Sequence, residues 1–530
     1  MDGVRGAGRR RRPLDRPSGG YGHDRARRGR GSGGRRHGGL LRHGVRPLPA
    51  SGVGGGGMML DLLHGHAVER PHVLALVDPE RTLTWSQLVD RVAERARELA
   101  PAPGVRPGLA ALHRPGDCQW VIDFLALRSC GHPVLPLPEA MPGTTAEALA
   151  RDMAATLFVA ADGVRRLPGR SPAEAGTDRL ALVHLTSGTT GTAKGVLRNG
   201  ANIEDEAAAV AQALGLGPEH PVLTGTPVSH SFASGLLTAA LRAGSPSLLT
   251  PRYDPAGMVR MAHEHRPGTI CGTPYVFRAV ARAKEVRRTG LPGLRHPLSG
   301  GAPLHPSWAE GWQEVTGVPI CQEYGLSEGG IATMNLAAHP DTAGSVGLPV
   351  PGVTVRILGP DGSPLGAGRT GQVVIDRPAT PAHYLTGGGG RAPVPTRPAL
   401  PGDSPTARFV ETGDLGRLDE HGRLWLTGRT KVLINVAGAK VSPFDVEHHL
   451  LNSPLVKDAV VAGVPDPDRG EMVAALVHAD PGTTAAELAK HLRERLSSFA
   501  VPRRWVLTPD IPRTASGKPD RARVLAILEG

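Results

Sequence analysis

The stretch Leu185-Thr186-Ser187-Gly188-Thr189-Thr190-Gly191-Thr192-Ala193-Lys194-Gly195-Val196, directly after the apolar run Leu180–Val183, decides how the rest of the chain is read. Glycines here let the backbone approach a polyphosphate closely. The hydroxyls of Thr186, Ser187, Thr189 and Thr190 and the backbone amides, Gly188 among them, donate to its oxygens, and Lys194 adds a cation. A Walker A loop is excluded, because the Gly-Lys-Ser/Thr ending is absent. Composition alone leaves two readings open, a phosphate cradle and a plain turn between strands.

Outward from this loop, short β-branched runs alternate with longer helical stretches, the pattern of an α/β chain. Leu83-Thr84-Trp85-Ser86 leads into Gln87–Leu99, where Leu88, Val89, Val92, Ala93, Ala96 and Leu99 recur at helical spacing. Val134–Leu137 reads as a short buried strand closed by prolines. Residues 386–407, with Gly387 to Gly390 and several prolines, read as a surface loop. A second block opens near Gly428, with strands at Lys457–Val464 and Trp505–Leu507 and an amphipathic helix at Ala485–Leu496.

Further signatures follow in order. Ser299-Gly300-Gly301-Ala302-Pro303-Leu304, Gln322-Glu323-Tyr324-Gly325-Leu326-Ser327-Glu328, Glu411-Thr412-Gly413-Asp414-Leu415, Gly428-Arg429-Thr430-Lys431 and Ile511-Pro512-Arg513-Thr514-Ala515-Ser516-Gly517-Lys518 accompany the Thr186–Gly195 loop and the early Leu83–Leu88 segment. Together they resemble the adenylate-forming (AMP-binding) superfamily, closest in pattern to acyl- and aryl-CoA synthetases, over about residues 60–525. Ala193 replaces the family's usual Pro, and Ser327 its usual Thr with the hydroxyl kept. The resemblance implies a large N-terminal domain of layered sheets and helices, residues 58–430. A small C-terminal α+β lid domain, residues 431–530, would follow.

The same resemblance implies the site. Gly301, Ala302 and Pro303 support adenine and Tyr324 flanks it; Ser327 donates to the α-phosphate and Glu328 holds Mg²⁺. Asp414 accepts both ribose hydroxyls, a job suited to a carboxylate, with Arg429 on the nucleotide and Lys431 as the hinge. Lys518 is the catalytic lysine, and Gly438 with Lys440 meets the pantetheine arm of CoA. The implied cofactors are ATP, Mg²⁺ and CoA. A carboxylate attacks the α-phosphate of ATP, giving an acyl-adenylate and pyrophosphate, and a thiol then displaces AMP.

Pro227-Val228-Ser229-His230-Ser231-Phe232-Ala233-Ser234-Gly235 falls where that family lines its acyl pocket. His230, Phe232, Ala233 and Ile331 are its expected walls, joined by the region near Tyr275; His230 reads equally as a packed core histidine. Neither Val228–Gly235 nor Gly329–Ala332 carries a charge, so a buried ammonium would go unbalanced. An aromatic or apolar acid is therefore expected rather than an α-amino acid. CoA is the first choice of acceptor and a separate phosphopantetheinyl acyl carrier protein the alternative.

Two other classes are disfavoured. Gly325-Leu326-Ser327-Glu328-Gly329 satisfies G-x-S-x-G, the serine-hydrolase elbow, but that elbow needs a helix after the serine and Gly329-Gly330 starts one poorly. The net charge of +12 over 530 residues suggests nucleic acid until it is located: residues 1–57 hold 14 Arg, no Lys and three Asp, leaving the rest of the chain near neutral. That segment, with 18 Gly, is expected to be disordered. Its single aromatic, Tyr21, is a poor base-stacking surface, so no nucleic acid is expected as partner. Gly54 to Gly57 before Met58-Met59 suggest codons of a ribosome-binding signal, with translation starting at Met58 or Met59. No apolar run is long enough for a membrane span. Cys118, Cys130, Cys271 and Cys321 form no C-x-x-C pair and read as reduced residues of a cytoplasmic protein.

Overall fold

The computed structural model describes residues 57–168, 180–187, 193–337, 339–377, 381, 383–400, 402–429, 433–514 and 517–530. Residues 1–56, Gly188, Thr189, Thr190 and Lys431 lie outside them, as do the expectations placed on them. Gly57 opens a helix, Gly57–Glu69.

Two sheets carry most of the body. One has nine strands, in the order Leu348–Pro349, Gly330–Asn335, Cys321–Leu326, His296–Ser299, Thr269–Gly272, Val222–Thr224, Ser247–Leu249, Leu74–Val77 and Thr82–Thr84. The other has eight, with Leu180–Ser187 and Ala193–Asn199 near one edge and Val134–Pro136, Ala110–His113 and Leu157–Ala160 beyond them. Their central strands pair in parallel and are buried on both faces, which explains their continuous apolar runs. A third, antiparallel sheet pairs Thr354–Leu358, Gly371–Asp376, Arg408–Leu418 and Thr396–Pro398, with Leu424–Arg429 alongside.

The helix expected from Gln87 starts two residues earlier, at Trp85. Thr84 is the cap: its hydroxyl accepts from the Gln87 amide at 3.4 Å, while the Gln87 side chain accepts from the Thr84 amide at 3.0 Å. Its buried face is Trp85 together with the six apolar residues read from the periodicity.

Residues 386–407 are not the loop their composition suggests. His383–Thr386 and Gly390–Pro393 form a hairpin on the edge of the eight-stranded sheet, and Thr396–Pro398 joins the third sheet. Gly388 and Gly389, at φ +68° and +76°, make the tight turn, and Pro393 and Pro398 fall on edge strands where a missing amide is tolerated.

The smaller C-terminal part has its own sheet, Ala439–Val441, Ile434–Val436, Gly470–Ala479 and Val456–Asp466, with Arg504–Leu507 in parallel. Helices Pro443–Leu451, Ala485–Arg493 and Arg521–Glu529 cover it. Among the described residues, every cluster of buried apolar side chains lies wholly before Trp425 or wholly after Leu433. No helix of the described residues is long and apolar enough to cross a membrane.

Candidate functional site

The strands flanking the opening loop form an antiparallel hairpin in which Thr186 faces Lys194, and the Thr186 hydroxyl donates to the Lys194 carbonyl at 3.4 Å. The strand His383–Thr386, next to the edge of that sheet, pairs with its outer arm and brings in Tyr384, to which sequence assigned no role. The Tyr384 ring lies 5.9 Å from Lys194 Nζ, and its hydroxyl donates to Glu328 Oε1 at 2.7 Å. Of the loop's expected phosphate ligands, Thr186 and Lys194 have described side chains; the side chain of Ser187 does not.

Cys321–Leu326 runs up the nine-stranded sheet, turns at Ser327 and Glu328, and returns antiparallel as Gly330–Asn335. That return excludes a hydrolase elbow, which requires a helix after the serine. The Ser327 hydroxyl donates to Ser231 Oγ at 3.2 Å. Lower on the same strand, the Tyr324 hydroxyl donates to Asp414 Oδ2 at 2.6 Å, and Arg429 Nε donates to Asp414 Oδ1 at 2.5 Å. Asp414 and Arg429 are direct cross-strand partners, so sheet register sets the pair. Burial, and then the Asp414 charge, hold the Tyr324 hydroxyl well above its ordinary range, so it stays a neutral donor.

Lys518 reaches into this group from the C-terminal part. Its Nζ lies 3.3 Å from His230 Nε2, and a Cβ on Gly301 would come within 3.0 Å of it. Burial lowers the Lys518 pKa, opposed by Glu323 and reinforced by Arg429. Burial, Lys518 and His184 push His230 down to about 3, which leaves a neutral ring able to accept from an ammonium. Glu323, unassigned in the sequence, is almost fully buried, and desolvation raises its carboxyl to about 8. It fits because Gly300 has no side chain: a Cβ there would lie 1.7 Å from Glu323 Oε1. Other contacts across the same junction are polar or aromatic, with Arg513 4.5 Å above the Tyr275 ring, Arg278 3.8 Å from Asp458, and the His305 and His448 rings 5.7 Å apart. Tyr275 thus meets the C-terminal part.

The expected acyl walls come together, since Phe232 and Ile331 share one apolar cluster with Tyr324 and Ala233 is fully buried. Beside them lies a buried carboxylate that neither stretch supplies. Glu206, from the helix Gly200–Leu214, is 2% exposed; its Oε1 accepts from the Ile331 amide at 2.8 Å and its Oε2 from Arg198 at 2.6 Å. A Cβ on Gly235 or Gly330 would fall within 2.8 Å of that carboxylate. The two walls are uncharged themselves, but a third element supplies a charge. The sequence signal was the pair of glycines on facing walls, which make room for a carboxylate from elsewhere.

Ala302 is half-buried and Pro303 exposed beside Gly301, itself at φ +77°. Gly438 is exposed at the tip of the hairpin Ile434–Val436/Ala439–Val441, at φ +90°; the Lys440 side chain is not described. Among the described residues no group of three His, Cys, Asp or Glu could cage a metal ion. Glu328 is therefore a single carboxylate, which suits Mg²⁺ held mainly by substrate phosphates.

Residues 162–385 match the model of the AMP-binding enzyme family, and residues 445–518 match that of the AMP-binding enzyme C-terminal domain, together more than half of the chain. A feruloyl-CoA synthase from Amycolatopsis sp is 28% identical over 475 residues, covering 84% of this chain and 94% of the relative. A long-chain-fatty-acid–CoA ligase from Bacillus subtilis is 29% identical over 354 residues, 65% of this chain and 61% of the relative. In fold, the ATP-bound MatB of Rhodopseudomonas palustris superposes with a TM-score of 0.74 at 23% identity, covering 89% of this chain and 99% of that one. The apo form of MatB scores 0.64. The anthranilate CoA ligase AuaEII, in complex with anthranoyl-AMP, scores 0.73 at 20% identity over 89% of this chain and 97% of that one.

Proposed function

We propose, from the premise that this chain belongs to the AMP-binding enzyme family and is an AMP-forming acid–thiol ligase, that it activates an aromatic or apolar carboxylic acid and passes the acyl group to CoA. The observation that carries this reading is the continuous constellation around Lys518: His230 beside its ammonium, Ser231 bonded to Ser327, and Tyr324 bonded to the Asp414–Arg429 pair. Glu328, Tyr384 and Lys194 form the adjoining edge.

In this reading Asp414 accepts the ribose hydroxyls, Tyr324 lies against the adenine, and Gly301, Ala302 and Pro303 form its other side. Lys194 and the loop hydroxyls hold the pyrophosphate. When bound at Glu328, Mg²⁺ neutralises charge on the phosphates. Lys518 donates to both the attacking carboxylate and the α-phosphate, offsetting their repulsion as they approach. His230, kept neutral, holds the ammonium in place without adding a competing charge. We assign residues 58–430 to the nucleotide- and acid-binding body and 431–530 to a lid turning at Lys431, which presents Gly438 and Lys440 to the pantetheine arm.

An aromatic substrate is supported by the names of the feruloyl-CoA synthase and the anthranilate CoA ligase. Four free cysteines fit a reducing cytoplasm, where we propose the enzyme works. The test is incubation with ATP, Mg²⁺, CoA and a panel of benzoates, cinnamates, fatty acids and amino acids. The products are read by mass spectrometry. Acyl-CoA from an aryl acid is expected; adenylate without acyl-CoA would shift the acceptor to a carrier protein. A preference for an α-amino acid would overturn the reading.

A further inference from the structure

A second buried histidine, one that acts electrostatically on His230, is not used by the proposed reaction. His184 lies on the strand Leu180–Ser187, two residues before Thr186. In an antiparallel pair, directly opposed residues point to the same side and alternate residues share a face. Thr186 and Lys194, His184 and Val196, and Leu182 and Arg198 therefore line one face of the hairpin, in that order away from the phosphate loop.

His184 is 2% exposed, and neither ring nitrogen has a hydrogen-bond partner among the described residues. Burial and the neighbouring Arg198 push it down to about 3, so the ring is neutral and carries one donor and one acceptor. Two orphaned polar atoms on one fully buried side chain are unusual, because each forfeits its hydration without replacement. The ring also acts electrostatically on His230, the group beside Lys518. Beyond it, Arg198 holds the carboxylate of Glu206 against Gly235 and Gly330. Polar groups on this side thus reach the expected apolar walls Phe232 and Ile331, since Glu206 also accepts from the Ile331 amide.

We propose that His184 is a specificity-determining residue and that the acid activated here is a hydroxylated aryl acid, whose ring hydroxyl bonds to the orphaned His184 imidazole at the Glu206 end of the pocket. A hydroxyl suits the position because it both donates and accepts, and so can answer either nitrogen of a neutral ring. The proposal rests on the acid-activating function above and deepens it.

The test is ATP–pyrophosphate exchange on matched pairs, cinnamate against 4-hydroxycinnamate and benzoate against 3- and 4-hydroxybenzoate, with the wild type, His184→Leu and His184→Gln. Thermal melts monitor folding. A site built to bond a hydroxyl rejects the analogue lacking it, so at least one hydroxylated acid should exceed its parent in kcat/KM by about tenfold or more. His184→Leu should bring that ratio to within about twofold of unity, and His184→Gln, which again offers a donor and an acceptor, should restore part of it. A merely structural histidine would lower both acids alike and leave the ratio untouched. That result, or a wild type indifferent to hydroxylation, overturns the proposal; if neither variant folds, the wild-type ratios decide it. Exchange with no carboxylic acid at all would instead overturn the function on which it rests.

Discussion

Replacing Lys518 with Ala removes the group that the C-terminal part delivers against His230 and Gly301. The magnitude follows from where the ammonium sits. It is half-buried, faced by the Glu323 carboxyl and a neutral imidazole, so neither bulk water nor a second positive side chain at that contact can take its place. Losing a preorganised donor to developing charge costs about 10²–10³ in rate, roughly 3–4 kcal/mol of transition-state stabilisation. Stability should hardly change. The apolar cluster nearest in sequence, built on Ile511, Val524 and Leu528, does not include Lys518, and a substitution outside the core shifts stability by about 0.5 kcal/mol or less. The assay is pyrophosphate exchange at saturating acid beside a second measurement, conversion of chemically prepared acyl-adenylate and CoA to thioester. Exchange should fall by at least about a hundredfold while thioester formation from the adenylate persists. A folded variant whose exchange stays within about fivefold of wild type, or one losing both half-reactions equally, would refute the assignment.

Asp414→Asn weakens the acceptor shared by Tyr324 and Arg429 and proposed for the ribose; a charged hydrogen bond is worth about 1.5–3 kcal/mol, so KM for ATP should rise about ten- to a hundredfold with a smaller change in kcat. An unchanged KM for ATP would separate Asp414 from the nucleotide. Gly300→Ala must displace the buried Glu323 carboxyl, and a cost of about 1–3 kcal/mol should show in the thermal melt; an unshifted melt would contradict the close approach. Glu323 sets a pH dependence: with its folded pKa raised to about 8 above the usual 4.5, the folded state holds a proton the unfolded chain releases. Its contribution to stability is therefore complete below about pH 4.5 and lost as pH rises through about 8, and Glu323→Gln should flatten the fall in melting temperature across that window. An equally steep fall in the variant would locate the titrating group elsewhere. A fluorophosphonate probe should leave Ser327 unlabelled, since its hydroxyl bonds to Ser231 rather than to a histidine.

Much of this architecture is legible in the chain, for identifiable reasons. Thr84, Gln87 and the apolar stripe from Leu88 to Leu99 specify a helix through local chemistry alone. The pairs Asp414–Arg429 and Thr186–Lys194 lie close in sequence on adjacent strands, so motif order predicts their meeting. What escaped was long-range or compositional. Glu206 reaches the pocket from a helix more than a hundred residues before Ile331, and no local pattern announces that a carboxylate will fill the room left by Gly235 and Gly330. Residues 386–407 look like a loop because glycine and proline are turn-formers. Yet edge strands need few internal amides and a hairpin needs a tight turn, so the same composition serves both. Tyr384, just ahead of that stretch, was given no role, although it links Lys194 to Glu328.

The division of the apolar clusters on either side of residues 425–433 has a thermodynamic consequence. Because no described cluster is shared, separating the two parts exposes little hydrocarbon and carries little of the heat-capacity cost that resists opening an ordinary core. What holds them is Lys518 at His230, Arg278 facing Asp458 and Arg513 over Tyr275, contacts that water and salt can exchange one at a time. The junction behaves as an ionic clasp rather than a weld.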